Sequence, residues 1–252
     1  MAKNFVIAQI TDLHIGATWA GDHSIANFAS AVAALKRLPL EPDIVLASGD
    51  LAEDATAEQY QVVRDALAQI GCPIYPLAGN HDSRVGLREA FGLPGEGEAP
   101  IHYSVDLEET RLVVLDTTIP GLASGSLDQD RLAWLDTALA ADARPTVLAM
   151  HHLPIPISLP AWESIGIPAV ERDALASLLR PHVHVGLIVC GHVHRCLTGH
   201  LAGRTVVAAP STYARGRTSL GDKLVFDIAR PGFALHVLGT NSVASQFEFA
   251  DL

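Results

Sequence analysis

Six short runs of apolar, largely β-branched residues punctuate the chain, and five of them end in a burst of Asp, Asn or His. The runs are NFVIAQI (4–10), DIVLAS (43–48), PIYPLA (73–78), LVVLD (112–116), PTVLAM (145–150) and VGLIVC (185–190). Each is short and apolar throughout, as expected of a strand covered on both faces. Helical patterns lie between them. Ser24 is placed to cap a helix carrying Ile25, Phe28, Val32 and Leu35, with Pro39 as its stop. TAEQ (56–59) is a capping box leading into Tyr60, Val63, Leu67 and Ile70, and Gly71 ends that helix. Residues 83–91 and 169–180 also read as helices, and SLDQ (126–129) reads as the cap of one through Leu132, Leu135 and Leu139.

LPGEGEAP (93–100) and ISLPAWESIGIP (157–168) read as loops. After residue 200 the alternation stops, and TVVAA (205–209), KLVFDI (223–228) and FALHVL (233–238) follow one another without helices. The first part therefore favours parallel pairing and the tail antiparallel pairing. The prolines of the third run place it at a sheet edge or in a short ladder. The expectation is a single mixed α/β domain over residues 1–252, with the polar motifs at 12–194 and the tail strands at 205–238.

Composition narrows the function. With 49% hydrophobic residues there is ample material for a core, and a chain of this size buries about three-quarters of its unfolded surface. The formal charge of −11 argues against a protein that tracks a nucleic-acid polymer. No apolar run approaches the roughly 20 residues that span a bilayer, and no basic amphipathic helix stands out for a membrane surface. MAKNFVIAQI leads directly into the first strand, so the reading is a soluble, unprocessed, cytoplasmic protein. Cys72, Cys190 and Cys196 are odd in number and lack a zinc spacing, so no disulfide framework is expected. Cys190 reads as a core residue, and Cys196 by default as another buried thiol.

The strand ends carry the chemistry. The first run leads to Asp12 and His14, the second to Asp50, and the third to Asn80, His81 and Asp82. PTVLAM meets His151 and His152, and VGLIVC meets His192 and His194. Sites in α/β sheets form outside the carboxyl ends of strands, so these side chains are expected at one edge. His182 and His184 precede their strand, lie at its opposite end and take a structural reading.

Residues two apart on an extended chain point the same way, with Cα atoms about 6.5–7 Å apart. Asp12/His14 and His192/His194 can then each reach one pocket, and two such histidines can straddle metals about 3.5–4 Å apart. Carboxylate, imidazole and amide donors suit Mn, Fe, Co or Zn. His151 and His152 are adjacent and face opposite ways, so only one is expected to be a ligand.

In this order and spacing, DLH (12–14), GDLAED (49–54), GNHD (79–82), HH (151–152) and GHVH (191–194) resemble the calcineurin-like metallophosphoesterases. The resemblance spans roughly residues 4–210. In detail, GNHDSRVGLREAFG, VVLDTTIPG and HHLPIPI are similar to the bacterial class III cyclic-nucleotide and glycerophosphodiester phosphodiesterase branch. It implies two facing mixed β-sheets flanked by helices, a four-layer α/β/β/α sandwich. It implies two transition-metal ions, Mn, Fe, Zn or Co, one held by Asp12, His14, Asp50 and His194 and the other by Asp50, Asn80, His151 and His192. Asp50 would bridge, and a water or hydroxide between the metals would attack phosphorus. His81 would bind no metal but would face the phosphoryl oxygen or leaving group as hydrogen-bond donor or general acid. Asp82 would orient His81 or, by slight preference, cap the next helix.

Two departures stand out. Leu153 replaces the first proline of the branch's HHPP, and the long C-terminal extension of some relatives is lacking, so substrate size and oligomeric state do not carry over. A homo-oligomer is compatible with the sequence. The expected activity is metal-dependent hydrolysis of a small phosphodiester, a 3′,5′-cyclic nucleotide or a glycerophosphodiester. The alternatives are a phosphomonoesterase, such as a nucleotide or protein phosphatase, and a non-catalytic metal-binding scaffold, for which eroded ligands would be expected. Room for a diester depends on loops 15–23, 93–104 and 157–168, where His23, His102 and Trp162 are candidate substrate contacts. Arg195 and Arg215 are candidate phosphate contacts.

Overall fold

The structure is a computed structural model that describes residues 4–108, 110–240 and 242–251. In chain order the first half comprises β1 (Phe5–Ile10), α1 (Ser24–Lys36), β2 (Ile44–Ala47), α2 (Ala57–Ala68), β3 (Ile74–Pro76), α3 (Arg84–Phe91), β4 (Tyr103–Leu107), β5 (Thr110–Leu115), β6 (Thr118–Ile119) and β7 (Leu122–Gly125). The rest comprises α4 (Gln129–Ala140), β8 (Thr146–Met150), α5 (Pro160–Glu163), α6 (Ala169–Leu179), β9 (Val185–Cys190), β10 (Leu197–Leu201), β11 (Arg204–Ala208), β12 (Ala214–Gly216), β13 (Phe226–Ile228), β14 (Gly232–Gly239) and β15 (Ser242–Phe249).

Two mixed sheets dominate, ordered β15-β14-β1-β2-β3 and β10-β11-β9-β8-β5-β4. β1, β2 and β3 run parallel, as do β5, β8, β9 and β11. The period-2 alternation of each strand assigns its side chains to layers. Ile7, Ile44, Leu46, Leu112, Val114, Val147, Ala149, Leu187, Val189 and Val207 meet in one cluster between the sheets. The residues between them point outward. Ala8, Ile10, Val45 and Ala47 pack on Phe28, Val32, Tyr60, Val63 and Leu87 of α1, α2 and α3. Val113, Leu148, Ile188 and Val206 pack on Leu135, Leu139, Leu175 and Leu179 of α4 and α6. The four-layer sandwich is thus present, and the strands are continuous apolar runs because both faces are covered. Among the described residues no helix is long and apolar enough to cross a membrane.

Local expectations fared unevenly. The Thr56–Gln59 capping box forms in both directions, and β3 is an edge strand as its prolines require. Ser24 is not a cap: it is the first residue of α1, its Oγ accepts from Gly16 N at 3.1 Å, and His23 occupies the cap position without a side-chain capping bond. At α4 the cap is Asp128, which accepts from Arg131 N at 2.9 Å. The tail is only partly antiparallel, because β11 pairs parallel with β9 while β14 crosses to the other sheet beside β1. KLVFDI contracts to Phe226–Ile228, and the 157–168 loop contains the short helix α5. Cys190 is buried, but Cys196 is exposed and not a core residue.

Candidate metal centre

The functional side chains come from loops at the carboxyl ends of β1, β2, β3, β8 and β9. Asp12, His14, Asp50, His192 and His194 have φ of 52°, 46°, 50°, 68° and 51°, in the left-handed region that non-glycine residues seldom occupy. These pairs therefore do not converge as neighbours on an extended chain. Backbone that turns out of the strand aims them instead. Each such residue costs on the order of 1 kcal/mol or more, tolerated only where surrounding contacts fix it. Those contacts are visible. Asp12 N and His14 N donate to Gly49 O and Asp50 O, both at 3.0 Å, and Gly191 N donates to His151 O at 3.0 Å. Across the sheets, His192 N donates to Asp12 Oδ1 at 3.0 Å.

Two overlapping groups result, Asp12/His14/Asp50/His194 and Asp50/His151/His192, with donor atoms within 4.8 Å of one another in each. All of these residues are buried. Asp50 belongs to both groups, with Oδ2 3.6 Å from His14 Nε2 and 3.3 Å from His151 Nε2. His194 Nε2 is 3.5 Å from Asp12 Oδ1. Asn80 joins the second group through Oδ1, 3.0 Å from His192 Nδ1.

The outward nitrogens decide what the inward ones can do. His14 Nδ1 faces Glu53 Oε2 at 2.7 Å, His151 Nδ1 faces Ser48 O at 2.9 Å, and His194 Nδ1 faces Ala214 O at 2.8 Å. His192 Nε2 faces Ile165 O at 3.1 Å. A carboxylate or carbonyl only accepts, so each ring, when neutral, carries its proton outward and turns a lone pair inward. His14 Nε2 and His194 Nε2 stand 3.1 Å apart, so two neutral rings held this way confront each other as lone pairs, relieved only by a proton or a cation between them. His151 Nε2 is buried with no hydrogen-bond partner at all. Lone pairs converging on carboxylates, with far nitrogens anchored, are the arrangement of histidines that ligate metal. The donor set fits a pair of cations.

Protons are the competing occupants. Burial pushes the Asp12 carboxyl up to about 6. Burial would also raise Asp50, but His151 and His14 beside it hold it well below the carboxylate range. Burial opposes a charge on His151, yet the Asp50 carboxylate prevails and carries it up to about 9. His194 is pushed down to about 3 by burial and by His14. Metal binding here must displace protons.

The remaining candidates divide. His81 is at the mouth of the site, its side chain 35% exposed, with Nδ1 3.6 Å from Glu53 Oε2 and the ring edge-on to His14. Asp82 neither orients His81 nor caps α3. It accepts from Leu51 N, Ala52 N, Gly79 N and Tyr60 Oη, tying the second and third loops together, and Ser83 is the cap. His152 turns away to Thr117 Oγ1 and Ala123 O. His182 pairs with Asp136 at 2.7 Å, beside His184 at the amino end of β9.

His102 accepts from Asp116 N and stacks on Trp134, and the His23 ring lies tilted against Tyr213, so both are engaged in packing. Trp162 is buried with its ring 6.2 Å from His192. Leu153 is buried in the outer core of the six-stranded sheet. Arg195 and Arg215 line a cleft that His194 also borders. Sequence reasoning missed Glu53, which holds His14 Nδ1 and accepts from Trp19 Nε1 at 3.1 Å. The only sign of it was its place in GDLAED, three residues after Asp50.

Comparison with known proteins identifies the family. The calcineurin-like phosphoesterase family pattern matches residues 5–196. A probable cyclic nucleotide phosphodiesterase of Synechococcus sp. is 34% identical over 216 residues, 84% of this chain and 82% of that protein. The 3′,5′-cyclic adenosine monophosphate phosphodiesterase CpdA of Escherichia coli is 30% identical, over 93% of this chain and 86% of its own. The glycerophosphodiester phosphodiesterase GpdQ of Enterobacter lignolyticus is 30% identical, over 82% of this chain and 77% of its own. The crystal structure of a dimetal phosphatase from Danio rerio superposes with a TM-score of 0.73 at 15% identity, covering 97% of this chain and 96% of that one, a likeness of fold. The chain belongs to the calcineurin-like phosphoesterase family.

Proposed function

We propose that the protein is a metal-dependent phosphodiesterase that hydrolyses small phosphodiesters, 3′,5′-cyclic nucleotides or glycerophosphodiesters, at a dinuclear centre. The observation that carries this reading is the convergence of one ring nitrogen each of His14, His151, His192 and His194 around Asp50, with the other nitrogen of each ring anchored on a carboxylate or carbonyl oxygen. In this reading Asp12, His14, Asp50 and His194 hold one ion, and Asp50, Asn80, His151 and His192 hold the other. Nitrogen and oxygen donors without thiolate suit Mn, Fe, Zn or Co. When bound, such a pair supplies Lewis acidity toward the phosphoryl group and water acidic enough to attack it.

The chain's own residues prepare that chemistry. Asp50 Oδ1 accepts from His81 N at 2.9 Å, which fixes the shared carboxylate and the His81 backbone together. His81, half out of the site, is placed to donate a proton to the departing alkoxide. Glu53 and the Ser48, Ala214 and Ile165 carbonyls hold the imidazole tautomers, so no proton need be rearranged during turnover.

The test strips the protein with chelator, restores Mn, Zn, Co or Fe singly, and compares bis(p-nitrophenyl) phosphate with p-nitrophenyl phosphate. Restored diester cleavage that Asn80→Ala abolishes supports the reading. Cleavage of the monoester alone would replace it with a phosphatase, and tight metal binding without hydrolysis would favour the scaffold.

A further inference from the structure

We infer that the cleft beside His194 is a second anion site, built to hold a further phosphate group on the substrate. The cleft has a volume of about 750 Å³ and is lined by His194, Arg195, Arg215, Arg217 and Arg230 among others. Four arginines around one opening are unusual for a chain of net charge −11. Their charges are only half compensated. Arg215 and Arg217 share the single carboxylate of Asp227, at 2.8 and 3.6 Å. Arg230 reaches Asp251 at 2.8 Å, a residue whose side chain is 91% exposed. Arg195 donates to Gly216 O and Thr218 Oγ1, and among the described residues no carboxylate pairs with it. Four cations thus stand against two carboxylates.

The cleft is fastened to the metal centre. Arg195 follows His194 directly, Gly216 N donates to His194 O at 3.2 Å, and the Phe226 ring is 5.3 Å from the His194 imidazole. The β12–β13 hairpin that carries Arg215, Arg217 and Asp227 is therefore positioned by the same loop that supplies a candidate ligand. Guanidinium groups bind phosphate through paired, charge-assisted hydrogen bonds, and this arrangement leaves donors unused. The volume is that of a small-ligand site rather than a polymer track. A cyclic nucleotide or glycerophosphodiester, with its one phosphate at the metals, would leave the cleft unused. A diester carrying a second phosphate, such as a 5′-phosphorylated dinucleotide, would fill both. This inference rests on the phosphodiesterase reading for what occupies the metal centre, but the cleft can be tested apart from it.

The experiment compares the dinucleotide ApA with its 5′-phosphorylated form pApA as substrates of the metal-loaded protein. In parallel, calorimetry compares binding of adenosine 3′,5′-bisphosphate with that of adenosine 5′-monophosphate. Both comparisons are repeated with Arg215→Gln/Arg217→Gln, two exposed side chains, and at raised salt. The expected result is a preference of about tenfold for the more phosphorylated partner in each comparison. It should shrink toward one in the double variant and at high salt. Each ratio is read on one protein, so a loss of folded protein moves both members alike. Equal treatment of both ligands by the wild type, or a preference that survives in the double variant, overturns the inference. Failure to cleave either dinucleotide would overturn the dinucleotide as the substrate class, bis(p-nitrophenyl) phosphate would still test the phosphodiesterase reading, and the calorimetric ratio would still decide the anion site.

Discussion

His192 Nδ1 stands 3.0 Å from Asn80 Oδ1 while its Nε2 stands 3.1 Å from the Ile165 carbonyl, and a neutral imidazole has one proton for these two acceptors. The nitrogen left bare and the oxygen it faces repel unless a cation lies within reach of both or the Asn80 amide turns its NH₂ inward. The same conflict recurs between His14 and His194. Only protons or cations relieve these conflicts, and that is the origin of the metal dependence expected of the site.

Removing Asn80 tests this most directly. Asn80→Ala deletes a neutral oxygen donor from the group that retains Asp50, His151 and His192. Metal analysis after dialysis should give one tightly held equivalent per chain where the wild type gives two. Diester turnover should fall by about a hundredfold or more, since even an outer partner of a ligand is worth 10–100-fold. Asn80 is only half-buried, so the melting temperature of the metal-free protein should scarcely move. Two retained equivalents would remove Asn80 from the ligand set.

Glu53 should matter almost as much without touching a metal. Its Oε2 accepts from His14 Nδ1 at 2.7 Å, and its Oε1 from Trp19 Nε1 at 3.1 Å. Glu53→Gln takes the charge from this clamp and weakens the hold on the His14 tautomer. Metal affinity should drop 10–100-fold, with turnover recovered at saturating metal. An unchanged affinity in a titration with a competing chelator would make Glu53 a mere surface contact.

Why one carboxylate of GDLAED was legible and another was not has a physical answer. Asp50 could be read because it ends a buried strand, and the edge of an α/β sheet is set by alternation alone. Glu53 acquires its role from His14, 39 residues away in sequence, and from a loop whose path only the folded chain reveals. The same division runs through the fold. Thr56–Gln59 was legible because a capping box is local chemistry, while Ser24 was misread because Gly16 claims its hydroxyl. The strands β4, β10 and β15 escaped notice because they are sheet edges, whose alternating exposure blurs the apolar run. The structure gathers the seven candidate ligands in one place, yet the spacing argument behind two pairs failed. Left-handed backbone, not extended chain, aims them.

His236 sets an acid limit on stability. It is buried in β14, where Nδ1 meets Ser245 Oγ at 2.8 Å and Nε2 meets Gln9 Oε1 at 2.9 Å, so the neutral ring is fully paired. Burial pushes its pKa down from 6.5 to about 4. A histidine with a depressed folded pKa binds its proton first in the unfolded chain. Its contribution is therefore unchanged above about pH 6.5 and turns unfavourable as pH falls toward 4. The full loss is on the order of 3 kcal/mol. Urea midpoints of the metal-free protein between pH 7 and 4.5 should decline more steeply for the wild type than for His236→Gln. Parallel curves would mean that His236 is protonated as easily in the fold as out of it.

The last prediction concerns a glycine whose role is to leave room. A Cβ built on Gly79 would lie 2.1 Å from Asp50 N and 2.2 Å from Asp50 Oδ1, so the Asp50 loop itself would have to move. Overpacking of this kind costs about 1–3 kcal/mol, and here the displaced group is the carboxylate common to both donor groups. Gly79→Ala should therefore lose metal and diester cleavage together while still folding, with a lowered melting temperature. Gly71→Ala is the opposite case: its φ of +86° is unfavourable for alanine, a penalty Gly79 does not carry, but nothing lies within 4 Å of the added carbon. It should carry only the backbone penalty, about 1–2 kcal/mol, and keep both metal equivalents. If Gly79→Ala binds two equivalents with wild-type affinity, Asp50 has latitude that the packing denies it, and its place as the shared ligand would have to be given up.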